Sequence, residues 1–350
     1  MSRLAALVLL ALPLFAQLPP GTSRVKFREM TDATFFAATP DGSLWAASLF
    51  DRALERIGAD ASVEADLPPN WRGTHGMTAG PDGALWLGGS GWIARIDPAT
   101  NAIQRWPQGT GVVTERILSG PDGNLWLIQG QSVGRIRLDG RFLSKYLFVS
   151  STGSAFGTDG ALYLAAPGKL VRVTAAGQMT TFAASLHYTL YAGPGFLWSG
   201  KPASTDPQSE PAGEILKLSY SGETLATYRV AMTPLASDAL GNLWLRAVSD
   251  EGEIVGQLTP QGVLTRFGPL PALPSNDCFK RWYGGVAFLA DGRVAMSDYY
   301  PAFPRAMVGP CVGASKPEEF ENTVTIIDPR IAPVISVQSL NPTRRRIIRR

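Results

Sequence analysis

The chain has 350 residues, 45% hydrophobic and 17% charged, with 37 glycines and 27 prolines. That charge is low against the roughly 25% of an average domain, and the apolar content excludes a disordered polyelectrolyte. The formal net charge is +3 and the pI about 8.9; setting aside Arg3 and the five tail arginines (344–346, 349, 350) leaves 26 basic against 29 acidic residues, so the body carries no basic footprint for nucleic acid.

In chain order, the first element is a targeting signal. Arg3 precedes the apolar run Leu4–Ala16, which suits a signal peptide and falls short of the about 20 residues that span a bilayer. Residues 1–17 are therefore expected to be removed and the mature chain to be periplasmic or secreted. No later stretch has the length and apolarity of a transmembrane span. From Arg24 on, one phrase recurs. It reads Asp-Gly-x-Leu-Trp, centred on Trp45, Trp86, Trp126, Tyr163, Trp198, Trp244 and, in degenerate form, Ala295. The spacings, 41, 40, 37, 35, 46 and 51 residues, with four strand signals per copy, predict an all-β fold: a seven-bladed β-propeller of four-stranded antiparallel blades.

Blade two shows the unit. The small residues His75–Gly80 form an inner strand, Pro81-Asp82-Gly83 a turn, Ala84–Gly89 a second strand, Trp92–Asp97 a third and Ala102–Trp106 the outer one. Small residues beside the crowded channel permit close backbone approach. Asp-Gly supplies the positive-φ positions of a tight hairpin. Leu85 and Trp86 point to opposite faces, each covered by a neighbouring blade. The third strand recurs as Ile93-Ala94-Arg95-Ile96 and Val133-Gly134-Arg135-Ile136. The segment 24–29 resembles an outer strand placed ahead of the first inner one (34–38) and is expected to complete the last blade beside 322–328. The segment 335–340 competes for that place or forms a fifth strand. One domain over 24–340 and a disordered basic tail over 341–350 follow.

The insertions 201–213, 268–282 and 299–321 all fall on one face of the predicted ring, the usual binding side of a repeat array. Cys278 and Cys311 lie on two of them and are expected to form a disulfide in an oxidising compartment. Both histidines, His75 in blade two and His187 in blade five, open inner strands on that face. Histidine titrates near pH 6.5 and serves as base or ligand. Trp71, Arg72, Glu115, Arg116, Tyr188, Lys201, Arg281, Trp282, Tyr283, Asp298 and Tyr299 complete the candidate rim. No metal-ligand spacing, nucleophile elbow or phosphate loop is present.

The repeat Gly120–Trp126 followed by Val133–Ile136 resembles the streptogramin (virginiamycin) B lyase family. The resemblance implies a seven-bladed propeller, and an enzyme that opens a cyclic depsipeptide by elimination with magnesium, a histidine base and a glutamate. The family's motif is Pro-His-Gly-Ile-Thr with that glutamate two residues before. Thr74-His75-Gly76-Met77-Thr78 matches it, with Gly73 in the glutamate's place, and His187 has Ser185 at the same offset. The last two blades, where the family carries its histidines, have none near Pro234 or Tyr283. The expectation is an exported, monomeric propeller that lacks the lyase motif and binds a small molecule, peptide or glycan at its loop-rich face, with no certain cofactor. The alternative is a lyase, or a metal-dependent lactone hydrolase, with His75 as base and magnesium as cofactor.

Overall fold

The computed structural model describes residues 18–27, 35–48, 54–57, 62–64, 74–147, 151–187, 189–200, 213–249, 252–271, 282–299 and 323–342. Within them the chain forms seven antiparallel sheets, six of four strands and one of five. They stand as seven blades in a ring, a β-propeller with no helix among the described residues. No helix among the described residues is long and apolar enough to cross a membrane.

Blade two runs Thr74–Ala79, Leu85–Gly89, Trp92–Ile96 and Ile103–Pro107, within two residues of each expected boundary. Its inner strand packs on that of blade three so tightly that a Cβ on Gly76 would lie 2.9 Å from Arg116 Cα. The pleat then sorts the large side chains. Leu85 packs with Trp45 and Leu54 of blade one, whereas Trp86 packs with Ile117, Leu125 and Leu127 of blade three. The same division recurs around the ring: each repeat aromatic enters the interface ahead of its blade, and the residue before it enters the one behind. Trp126 joins Leu162 and Val173, Tyr163 joins Leu190 and Leu197, Trp198 joins Leu243 and Leu245, and Trp244 joins Val294 and Met296. All these repeat aromatics are buried. Truncating one to alanine costs about 3–5 kcal/mol.

The turn differs from the sequence reading in one respect. Only the glycine of each Asp-Gly pair adopts positive φ (Gly83, +74°), and the one positive-φ non-glycine among the described residues, Asn101, lies in a different turn. Gly83 N–H donates to Gly80 O at 3.0 Å and Gly80 N–H to Ala84 O at 2.8 Å. Asp82 thus keeps ordinary backbone geometry and spends its carboxylate elsewhere. It accepts the Trp86 indole N–H at 3.0 Å and Arg95 Nε at 2.6 Å. Asp122 holds Trp126 and Arg135, and Asp159 holds Tyr163 and Arg172, in the same way. Several of the third-strand cations also reach the next blade: Arg56 donates to Pro98 O at 2.9 Å and Arg135 to Ala175 O at 2.7 Å. The Asp-Gly-x-Leu-Trp phrase therefore encodes a hairpin, an ion pair and the interblade core together.

Both chain ends close the ring. Thr22–Lys26 is the outer strand of blade seven, paired with Thr323–Ile327 in the register Arg24↔Thr325. Val334–Ser339 crosses back to blade six and forms its fifth strand against Val263–Leu270. Arg24 adds a cross-tie: its guanidinium donates to Pro271 O at 2.6 Å and lies 3.7 Å from the Glu253 carboxylate. Glu253 is fully buried and also pairs with the buried Arg246 of the adjacent strand of blade six.

Candidate functional site

The face carrying the second-to-third-strand turns and the links between blades is the one expected to bind. Much of its rim, Trp71, Arg72, Tyr188, Lys201, Arg281, Cys278 and Cys311, lies outside the described residues, so the disulfide is not addressed by the structure. Trp282 and Tyr299, at the edges of two expected insertions, prove to be strand residues, as are Tyr283 and Asp298. Their register pairs Trp282 with Tyr299 and Tyr283 with Asp298 at the loop-bearing end of blade seven.

The best-defined part of the mouth lies between blades two and three. After the outer strand of blade two, residues 112–114 zip alongside the Ser90–Gly91 turn. Gly91 N–H donates to Val112 O, Thr114 N–H to Gly89 O at 3.1 Å, and Ser90 bridges Val113. Thr114 is buried and accepts Gln129 Nε2 at 3.1 Å. Only a glycine fits opposite it, because a Cβ on Gly88 would meet Thr114 Cγ2 at 2.5 Å. This zipper sets Glu115 and Arg116 beside the inner strand that bears His75.

Half-buried His75 has Nε2 3.3 Å from Ser90 Oγ. Burial lowers its pKa below 6.5, opposed by the negative charge of Glu115; the imidazole is therefore neutral at pH 7. Arg116 points the other way round the channel, donating to Thr152 O at 2.7 Å and to Ser154 Oγ at 3.3 Å in blade four. Burial lowers its pKa, while Glu115 and Tyr191 favour the charged form. Arg56, Arg95, Arg135, Arg172 and Arg246 each hold a carboxylate. Arg116, by contrast, has only neutral oxygens at hydrogen-bonding distance among the described residues. Tyr191, in the inner strand of blade five, donates to Pro234 O at 3.1 Å, and burial pushes its pKa up to about 12.

His187 is placed differently from the expectation. It precedes the inner strand of blade five, Thr189–Gly193, by two residues. Its N–H donates to Ser199 Oγ at 2.9 Å, and its Nε2 lies 3.6 Å from Glu214 Oε2. It is thus held by its own blade, three blades from His75. Ser90, Tyr191 and Glu214 were missed by sequence reasoning. Ser90 alone carried a signal: it sits in the glycine-flanked turn Gly88-Gly89-Ser90-Gly91 on the expected face.

A shallow hollow of about 410 Å³ opens on the opposite face, lined by Asp159, Tyr163, Arg172, Phe182 and Tyr220. It lies where tyrosine replaces the repeat tryptophan. Its polar groups are already engaged, Asp159 by Arg172 and Tyr163 in a stack on Tyr220 with ring centres 4.8 Å apart. Among the described residues no three His, Cys, Asp or Glu side chains cluster closely enough to hold a metal ion.

The Virginiamycin B lyase family model matches residues 22–194, the first four blades and the inner strand of the fifth. A streptogramin B lyase structure superposes with a TM-score of 0.62 at 16% identity, covering 88% of this chain and 98% of that one. A virginiamycin B lyase from Staphylococcus aureus gives 0.60 at 17%, covering 87% and 98%. A catalytically inactive histidine-to-alanine variant of the S. aureus lyase, with quinupristin, gives 0.61 at 16%, covering 88% and 99%. Likeness at such identities shows the fold. No curated protein matches in sequence.

Proposed function

We propose that this streptogramin (virginiamycin) B lyase-like propeller is an exported ligand-binding module that takes a small molecule, peptide or glycan at the loop-bearing mouth of its channel. The observation that carries this reading is Arg116. A desolvated cation with neutral partners favours an incoming carboxylate or polarised carbonyl, because a charge-assisted hydrogen bond there is about twice as strong as a neutral one. Glu115 lies within electrostatic reach of His75, and Tyr191 within that of Arg116. Export rests on the N-terminal segment Arg3–Ala16, and in that compartment Cys278 and Cys311 would bridge. A monomer suffices, since the ring closes on its own ends.

A thermal-shift screen of acidic small molecules, peptides and glycans tests the reading on the mature protein and on Arg116→Gln. Ligands whose stabilisation vanishes in the variant support it. Stabilisation that is equal in both proteins, or found only for variants of the opposite face, overturns it.

One observation favours a second reading, a lyase or metal-dependent lactone hydrolase with His75 as base. That imidazole is held neutral beside a carboxylate, as proton abstraction requires. Incubation of the protein and of His75→Ala with a streptogramin B or a sugar lactone plus magnesium decides it. Equal turnover by both excludes His75 as the base.

A further inference from the structure

We propose that Ser90 and His75 form a nucleophile–base pair, giving the channel mouth a serine esterase activity toward small acyl esters. The pair is distinct from the lyase and metal-dependent readings, and it stands apart from the binding reading: a mouth that binds without being acylated fails here and not there.

Three features carry it. First, Ser90 Oγ lies 3.3 Å from His75 Nε2, near the reach a base needs over its nucleophile, and such pairs tighten once substrate is bound. Second, the serine is fixed. Its turn is zipped to residues 112–114 through Gly91, Gly89 and Val113, with Gly91 in the left-handed region at +79°. Oγ therefore stays at the rim instead of wandering with a loop. Third, the surroundings suit a base that must gain a proton during the reaction. Burial keeps the imidazole neutral at rest, and the charge of Glu115 favours the imidazolium once it forms.

The chemistry closes with water as the sole co-reactant. The Ser90 Oγ–H bond breaks, its proton passes to His75 Nε2, and Oγ forms a bond to the ester carbonyl carbon. Collapse of the tetrahedral adduct breaks the bond to the leaving alkoxide, which takes the proton from His75. Water then attacks the acyl-Ser90 ester, giving its proton to His75, and the acid leaves as Ser90 recovers a proton. Ester and water become acid and alcohol, with no change in oxidation state. Glu115 acts through the imidazole and is a positioning residue.

The test uses the mature chain with a fluorophosphonate probe, which marks activated serines, and with p-nitrophenyl acetate. One equivalent of probe at Ser90 by peptide mapping is expected, with none at that position in Ser90→Ala. His75→Ala should slow labelling at least about 100-fold, the usual share of a general base. Hydrolysis should rise with pH through the His75 pKa, and Glu115→Gln should move that rise to lower pH, which a purely structural role would not do. Ser90→Cys, with nearly the same shape, should be alkylated by iodoacetamide faster than the double variant Ser90→Cys/His75→Ala. Absence of label at Ser90 in folded protein, or rates unchanged by His75→Ala, overturns the proposal.

Discussion

The Asp82 carboxylate accepts the indole N–H of Trp86 at 3.0 Å, and in blades three, four and six the turn aspartate is likewise bonded to the aromatic it introduces. The second oxygen holds Arg95 at 2.6 Å, and the hairpin, the third strand and the interblade core share one anion. Burial alone would raise the pKa of Asp82, but the hydrogen bonds from Arg95 and Trp86 and the nearby positive charge outweigh it and lower the value. Asp122 and Asp159 are lowered for the same reasons, and Asp41 by hydrogen bonds from Thr39 and Ser43 and the charge of Arg56.

Acid should therefore unfold the ring. A carboxylate whose folded pKa lies below its unfolded one contributes stability that is complete above the unfolded value and lost as pH falls through the folded one. Urea midpoints should be level near neutrality and fall below about pH 4, with four such anions acting together. Asp82→Asn should cost about 1–2 kcal/mol at pH 7, the worth of a hydrogen-bonded charge, and flatten the acid limb. An unchanged acid limb in Asp82→Asn would refute the shared-anion account.

The fifth strand of blade six guards an edge. Ending the chain at Ala332 removes Val334–Ser339 and bares the backbone of Val263–Leu270, an unpaired edge open to aggregation. That variant should melt several degrees lower and self-associate in light scattering. Ending the chain at Pro342 should change neither, and equal loss from both truncations would contradict this role.

Glu253 is buried beside Arg246 and near Arg24 of the closing strand. Removing one partner of a buried ion pair costs about 3–5 kcal/mol. Glu253→Gln should show that loss in denaturant unfolding. Glu253→Leu combined with Arg246→Met should recover a large part of it, since the apolar pair carries no charge to desolvate. A double variant no better than the single one would place the energy in packing instead.

His75 should titrate below 6.5, because burial disfavours its charged form. The folded state then prefers the neutral ring, and this contribution is present above pH 6.5 and fades on acidification. Glu115→Gln, by removing the opposing charge, should lower the His75 pKa further in an NMR titration. A rise in that variant would contradict the placement of Glu115.

What the sequence determined by itself was the ring. Seven copies of one phrase, a two-residue period that sends Leu85 one way and Trp86 the other, and strand signals at 24–29 and 335–340 follow from local geometry alone, which repetition amplifies. Even the uncertain ends resolved within the stated choices, Thr22–Lys26 closing blade seven and Val334–Ser339 extending blade six. The mouth was legible only in part. His75, Glu115 and Arg116 stood on the face of the second-to-third-strand turns, as expected, yet Ser90, Tyr191 and Glu214 carried little mark in sequence. Tertiary structure decided those, and it assigned Asp82, Asp122 and Asp159 to tryptophan or tyrosine and arginine partners as well as to their turns. The physical reason is reach. Strand period and turn chemistry act over a few residues, whereas a hydrogen bond such as Ser90–His75 or an ion pair such as Arg24–Glu253 joins positions 15 and 229 residues apart, and only the closed ring brings them within ångströms.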